Sequence, residues 1–412
     1  RESFYQLPFA SVSTQPSFDE ARVGVLDRLE SAVESQLISD VPVGAFLSGG
    51  LDSSAIVACA RKHLPKERFP CFTISHAKGP KDGFAEDLPY AMKVAKELDV
   101  DLNVLEIQPS MVENLDRMLW HLDEPLADPA AINVLLIAES AKRSGVSVLL
   151  SGAGGDDLFT GYRRHFALQS ECYWSWFPKP FRSLLKRGSS LLPTRHPMIR
   201  RLSKAFAYAD RSSLDRMMSY FCWAPPDVIA PLLTSKVWFE RDFCEPLLQT
   251  LDRYTGGQND ELLKKMLFLE MSHFLVDHNL NYTDKLSMAV GVETRVPFLD
   301  HRMVDYACRL PITYKQVGRQ SKYILKKAME GILPADVIYR PKTGFSAPLR
   351  TWLHGDMSEL LETVLSKNNV ESRGLFDHDQ IRRMIAMDRK GQADYSYVIF
   401  SLVAIERWCQ LF

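Results

Sequence analysis

Apolar residues recur at two periods along the first 150 residues, and the period switches several times. From Phe18, the stretch "FDEARVGVLDRLESAVESQL" places Val23, Leu26, Leu29, Val33 and Leu37 three and four apart, which predicts an amphipathic helix over 18–37. The short run "VGAFL" then reads as a strand, and a helical pattern follows over 53–62. Further on, "FPCFTIS", "DLNVLEI" and "VSVLL" read as strands, separated by helical patterns in "EDLPYAMKVAKEL", near 110–121 and in "AINVLLIAESAKRSG". Strands alternating with helices at this spacing predict an α/β fold over residues 18–170, with a doubly wound, mostly parallel sheet. Such sheets bind ligands at the carboxyl ends of their strands.

After about residue 165 the pattern changes to long amphipathic and aromatic-rich stretches with few β-branched runs and prolines at turns. We expect 171–412 to be mainly helical and packed on the sheet. Residues 1–17 hold two prolines, several serines and no sustained period, and read as a linker. No internal repeat is visible.

Composition narrows the classes of function. Fifty basic against fifty-one acidic residues give a net charge of −1, which argues against wholesale binding to nucleic acid or an anionic membrane but leaves local patches open. One such patch is the Lys- and Arg-rich segment 179–211, read here as a solvated helical surface, with nucleic-acid contact as the alternative. The seven cysteines are scattered singly, without a CxxC pair, so neither a zinc site nor a disulfide framework is expected. That usage fits a reducing cytoplasm. No uninterrupted apolar stretch reaches membrane-spanning length, and the start "RESFYQLPFA" lacks a secretory signal. It also lacks an initiator Met, consistent with a chain cut from a longer precursor.

The chemistry is concentrated in two glycine-rich segments, "SGGLDSS" (48–54) and "SGAGGDD" (151–157), each directly after a predicted strand. In the first, Gly49 and Gly50 let backbone N–H groups approach an anion, Ser48, Ser53 and Ser54 add hydroxyl donors, and the helix that follows aims its positive end at the same point. No lysine stands where a γ-phosphoryl transferase carries one. Asp52 stands there instead, and an ionised carboxylate repels phosphate but can hold Mg²⁺ that bridges phosphates.

This loop resembles the SGGxDS pyrophosphate loop of the N-type ATP pyrophosphatases. Three further stretches narrow the resemblance to the asparagine synthetase family: "LSGAGGDDLFTGY" (150–162), "DKLSMAVGVETRVPFLDHRMVDYACRLP" (284–311) and "SKYILKKAMEGILPADVIYRPKTGFSAPLRTWL" (321–353). "DEPLADPAA" (123–131) is similar to the stretch that precedes the second of these. The resemblance covers about residues 20–355, with the motifs in family order. It implies an enzyme that adenylates a carboxylate with ATP, releases pyrophosphate and lets ammonia or an amine displace AMP. By position, Asp52 and Asp156 would hold Mg²⁺. Ser48, Gly50, Ser53 and Ser54 would cradle pyrophosphate, Ile74 and Gly152 would flank adenine and ribose, and Gly49 and Ser151 complete the ATP- and pyrophosphate-binding set. Lys342 matches the family's active-site lysine. Glu293, Arg295 and Asp300 are expected to form a structural ion-pair network, and Asp157 to support the second loop.

Two departures qualify what the resemblance implies. Ala153 stands where asparagine synthetases carry Glu and their β-lactam-forming relatives carry Tyr; Asn279 stands where an acid is expected. Both turn the expected acceptor away from free aspartate towards a larger or different carboxylate. The family's glutaminase domain, with its nucleophilic Cys, has no counterpart before Cys59, so a separate or missing glutaminase part, free ammonia or another amine is expected to supply nitrogen. A homo-oligomer is compatible with the sequence. The alternatives are a lactam or macrolactam synthetase, a tRNA-modifying enzyme of the same loop class, and a non-catalytic subunit.

Overall fold

The computed structural model describes residues 5–9, 15–64, 68–76, 87–107, 111–191, 197–237, 244–257, 260–342, 349–355 and 357–412. Among these residues five strands form one sheet: β1 (Val43–Phe46), β2 (Pro70–His76), β3 (Asp101–Ile107), β4 (Val148–Leu150) and β5 (Glu293–Arg295). Their order is β3-β2-β1-β4-β5 and every pairing is parallel. The first four match the predicted strands to within about two residues. The chain therefore winds outward from β1 in one direction, then returns to add β4 and β5 on its other side. β1 and β4 flank the point where the winding reverses, which is where open α/β sheets leave a crevice.

Alternation along the strands divides the core. Ala45, Cys71 and Leu150 face one side, where they join a cluster drawn from α1 (Phe18–Leu37), α2 (Leu51–His63), α3 (Leu88–Glu97) and the helices Leu262–Leu269, His301–Arg309 and Tyr323–Met329. Phe72 and Leu149 face the other side and pack on Ile137, Ala138 and Ala141 of α5 (Ala130–Arg143). Behind α5, a third cluster joins α4 (Met111–Leu122) to Asn281–Met288 and the last helix, Ser396–Leu411.

α1 spans the predicted range and starts at a capping box: Glu20 donates its N–H to Ser17 Oγ (3.3 Å) and accepts from the Ser17 N–H (2.8 Å). Its buried face is Ala21, Gly24, Val25, Leu29, Ala32 and Val33, whereas Val23 points outward. Small residues set that face, because the helix closes on Tyr306; a Cβ at Gly24 would lie 2.4 Å from the Tyr306 hydroxyl.

Among the described residues beyond 170, the regular elements are helices apart from β5, with three isolated bridges. One continuous helical rod runs through Leu262–Leu269, π-helical Glu270–Leu280 and Asn281–Met288. The wider π turns bring Phe274 and Asn279 to the crevice.

Candidate active site

β1 ends at Phe46 and α2 begins at Leu51, so four residues make the turn. Gly49 has φ +69°, and a Cβ there would lie 2.3 Å from the Ala91 amide nitrogen, so no side chain fits. The serines fold the loop over the start of α2. Ser53 Oγ donates to the Gly50 carbonyl (3.2 Å) and accepts from the Ser48 N–H (3.3 Å), and the two hydroxyls lie 3.1 Å apart. No side chain caps α2 at Gly50, so the first-turn N–H groups are left for a ligand. Ser54 is fully buried, and its hydroxyl has no hydrogen-bond partner among the described residues.

The second loop presses directly on this turn. A Cβ at Gly152 would lie 2.8 Å from the Ser53 amide nitrogen, and one at Gly155 would lie 2.7 Å from Asp52 Cγ. Gly154, at φ +86°, starts the short helix α6 (Gly155–Phe159) that carries Asp156 and Asp157. Asp52 and Asp156 thereby meet around one ammonium group, Lys322 Nζ, which pairs with both. Lys342 Nζ adds a second pair to Asp156 at 2.5 Å. Lys322 adopts φ +53° ahead of the helix Tyr323–Met329 and donates its N–H to the Phe159 carbonyl (3.0 Å), which ties the lysine to the end of α6.

Burial pushes both carboxyls upward. At Asp156 the ammonium groups of Lys322 and Lys342 outweigh it and hold the carboxyl well below the usual range. At Asp52 they do not: burial and the neighbouring Asp156 leave its carboxyl raised despite Lys322. Burial disfavours the Lys322 ammonium, but Asp156 and Asp52 more than reverse this. A pair of buried carboxylates needs a cation to relieve its repulsion. In this structure Lys322 provides one.

The residues also suit Mg²⁺. Asp52 Oδ1 is buried without a hydrogen-bond partner among the described residues, and both acids offer hard oxygen donors. Among the described residues no group of three or more His, Cys, Asp or Glu could cage a metal by itself. Two carboxylates without such a cage fit an ion that takes its remaining ligands from water and phosphate, as Mg²⁺ does.

A cavity of about 350 Å³ opens from this cluster. Phe46, Leu47, Phe72, Val134 and Ile137 make an apolar wall, while Asp128, Ala153, Tyr162, Asn279 and Thr283 line the rest. Asn279 donates to the Tyr162 hydroxyl (2.9 Å), which donates in turn to Asp157 (3.2 Å). Asp157 is buried, and burial, with Glu270 and Asp156 nearby, raises its carboxyl well above the usual range. Arg340 closes the crevice on the side of the first loop. It donates to the Gly49 carbonyl (2.9 Å), pairs with Asp87 and stacks over the Tyr90 ring at 4.2 Å.

Of the residues singled out in the sequence, Ser48, Gly50, Asp52, Ser53, Ser151, Gly152, Asp156 and Lys342 all line the cavity, as do Ala153 and Asn279. Gly49 and Ser54 are outside the lining, in the turn between β1 and α2 and in the first turn of α2. Ile74 is outside the lining; it is half-buried on β2 against the core beside α5, and Phe72 and Thr73 of the same strand face the cavity. Glu293 pairs with Arg295 (2.7 Å), and Arg295 holds the end of α1 through the Gln36 and Ile38 carbonyls (2.7 and 2.8 Å). Asp300 caps the helix His301–Arg309 and pairs with Arg302 (2.8 Å). Residues 343–348, which include the "TGF" of "RPKTGF", lie outside the described residues. Sequence reasoning missed Lys322 and Arg340. Both sit inside the C-terminal motif block, but neither carries a local mark that separates it from a surface cation.

Comparison with known proteins bears on the same residues. The family model described as asparagine synthase matches residues 24–410. A Mycobacterium tuberculosis protein whose name includes the words asparagine synthetase, glutamine-hydrolyzing, is 32% identical over 99% of this chain and 60% of its own length. The Bacillus subtilis asparagine synthetase (glutamine-hydrolyzing) 1 is 29% identical over 99% of this chain and 62% of its own. The chain thus spans about three-fifths of the length of these relatives. Among solved structures, an NH3-dependent NAD synthetase from Campylobacter jejuni matches with a TM-score of 0.24 at 15% identity, over 48% of this chain and 98% of that one.

Proposed function

The chain belongs to the asparagine synthase family, and from that premise we propose that it is an ATP-dependent amide synthetase. A substrate carboxylate attacks the α-phosphorus of ATP, giving an acyl-adenylate and pyrophosphate, and ammonia or an amine then displaces AMP. The first step is needed because a carboxylate is a poor electrophile until its oxygen becomes part of a good leaving group. The observation that carries this reading is the convergence of two strand-end loops and two lysines on one pair of buried aspartates.

The roles follow from the surroundings of each group. The uncapped start of α2, with Ser48, Ser53 and the unpartnered Ser54 hydroxyl, receives the outer two phosphates. Lys322 and Lys342 stand where negative charge accumulates as the bond between the α- and β-phosphates breaks, and fixed charges placed there favour the transition state over the ground state. Asp52 and Asp156 are the residues that would hold Mg²⁺, which neutralises phosphate charge when bound. The apolar wall at Phe46, Phe72 and Ile137 suits the adenine base. Ala153 presents only a methyl group to the cavity and can neither move a proton nor orient an amine. We therefore extend the proposal to an acceptor carboxylate other than free aspartate. A glutaminase domain or subunit is a natural source of ammonia, in keeping with the relatives' names.

ATP labelled on its γ-phosphate, incubated with a panel of carboxylates with and without ammonia, is expected to yield AMP and labelled pyrophosphate. Formation of ADP and inorganic phosphate overturns the reading. Lys342→Ala and Lys322→Met are each expected to lower turnover by roughly 10²–10³-fold while nucleotide still binds, the loss typical of removing one preorganised charge from a transition state.

A further inference from the structure

The near-neutral net charge conceals a sharp segregation. Residues 179–211 contain nine Lys and Arg and a single acid, Asp210, so the segment carries +8 and the remaining residues sum to −9. The structure shows how that segment is built. Two amphipathic helices, Lys179–Ser190 and Pro197–Phe206, pack side by side. Their inner side is fastened to the protein: Arg182 donates to the Ala209 and Arg211 carbonyls (2.9 and 3.0 Å), Lys186 pairs with Asp210 (3.2 Å), and Trp174 meets Phe206 edge to face at 5.3 Å.

Their exposed side mixes apolar residues with Lys179, Arg187 and Lys204. Phe181, Leu184 and Leu191 are 63%, 65% and 84% exposed at a spacing of three and seven, and Met198 and Leu202 repeat the arrangement on the second helix at a spacing of four. Tyr173 and Trp176, just ahead of the first helix, are 79% and 71% exposed. Seven of the 23 exposed large apolar side chains among the described residues therefore fall within 30 positions, while the others are dispersed along the rest of the chain. Concentration of this kind marks an interaction surface.

We propose that this pair of helices seats the protein on an anionic lipid surface, with Trp176, Phe181, Leu184, Leu191 and Met198 in the acyl boundary and the exposed Lys179, Arg187 and Lys204 at the headgroups. An interfacial helix needs a strongly apolar stripe, aromatic residues at the polar boundary and excess positive charge at once, and the pair has all three. Charge complementarity selects this occupant. A protein partner matched to the stripe meets an interface core in which Lys is depleted, and single-stranded nucleic acid has no counterpart for exposed Leu and Met side chains, which cannot stack as aromatic rings do. The surplus of −9 elsewhere is repelled by the same surface, which orients the protein with the pair of helices downward. No helix among the described residues is long and apolar enough to cross a membrane, so the pair lies on the bilayer. The pair follows α7 (Arg163–Ser170), which begins directly after the cavity residue Tyr162, so docking sets the distance of the crevice from the lipid.

The test is co-sedimentation of the 412-residue chain with vesicles of phosphatidylcholine alone and of 70% phosphatidylcholine with 30% phosphatidylserine. Binding to the anionic vesicles is expected to exceed binding to the neutral ones by at least tenfold, and to fall steeply between 50 and 300 mM salt. The triple variant Trp176→Ser, Phe181→Ser, Leu184→Ser and the charge variant Lys179→Glu, Lys204→Glu are each expected to lower the bound fraction at least tenfold, with an unchanged thermal midpoint as the control for folding. Three results overturn the proposal: equal binding to both vesicle types, anionic binding that the triple variant retains in full, or no vesicle binding at all, in which case salt-sensitive RNA binding or self-association that the triple variant abolishes identifies the occupant instead. None of these readouts depends on the reaction proposed above.

Discussion

At the scale of single residues, the clearest conflict between burial and charge is at Asp157. Its carboxyl is enclosed, its neighbours Glu270 and Asp156 are both acids, and its hydrogen-bond partner is the Tyr162 hydroxyl, so its carboxyl is raised well above the usual range. A raised carboxyl holds its proton longer in the folded state than in the unfolded one. Stability is thus lost as pH climbs from the ordinary Asp range through the folded value, the reverse of the trend at Asp156. Asp157→Asn keeps an acceptor for Tyr162 and removes the titration. It is expected to raise the urea midpoint at pH 7, with the gain shrinking to nothing as pH falls below the ordinary Asp value; a midpoint shift that does not vary with pH contradicts this. Gly49 and Gly152 were legible in the sequence through a steric signature: each occupies a place where a side chain collides, and such places leave glycines in patterns. Lys322 leaves no such mark. It adopts a left-handed backbone without being glycine, and only the fold brings it from residue 322 to residue 52.

Elements show the same division. The first four strands and the five helices before residue 145 were readable because each is periodic over several residues and bounded by turn signals. β5 is three residues long, and the π-helical turns of Glu270–Leu280 keep the apolar spacing of an ordinary helix, so neither was readable. The junction of α6 with the helix Tyr323–Met329 was equally silent, yet it sets the charge cluster. Gly161 is the gap through which Lys322 reaches the acids: a Cβ there would lie 1.7 Å from Asp156 Oδ1 and 2.2 Å from Lys322 Cε. Gly161→Ala must displace one of them, because neither atom is the free end of an exposed chain. Overpacking of this type costs roughly 1–3 kcal/mol. Urea titration is expected to register that loss, and pyrophosphate release to fall at least tenfold. Wild-type values for both mean that the loop yields without disturbing the cluster.

Across the whole molecule, the sheet and the helical part cannot be separated without damage. β5 comes from residues 293–295 and pairs with β4, covering an edge that otherwise presents unpaired N–H and C=O groups. The largest apolar cluster mixes Val25, Ile56 and Ala91 with Leu267, Phe298, Ile324 and Val337, so residues from both sides of position 170 exclude water from one another. The site has the same dual origin: Asp52 and Asp156 belong to the winding half, and Lys322, Arg340 and Lys342 arrive from the other. Residues that share one core are expected to unfold together. Six of the seven tryptophans lie beyond residue 170, so fluorescence reports mainly on the helical part, whereas amide exchange at β1 to β3 reports on the sheet. The two probes are expected to give coincident urea transitions. A fragment ending at residue 170 is expected to lack a cooperative transition, because it loses β5 and the helices Tyr323–Met329 and His301–Arg309 that pack on α1. Two separated transitions, or a fragment that folds alone, mean that the contacts across position 170 join two independent bodies, and the charge cluster then forms only when those bodies dock.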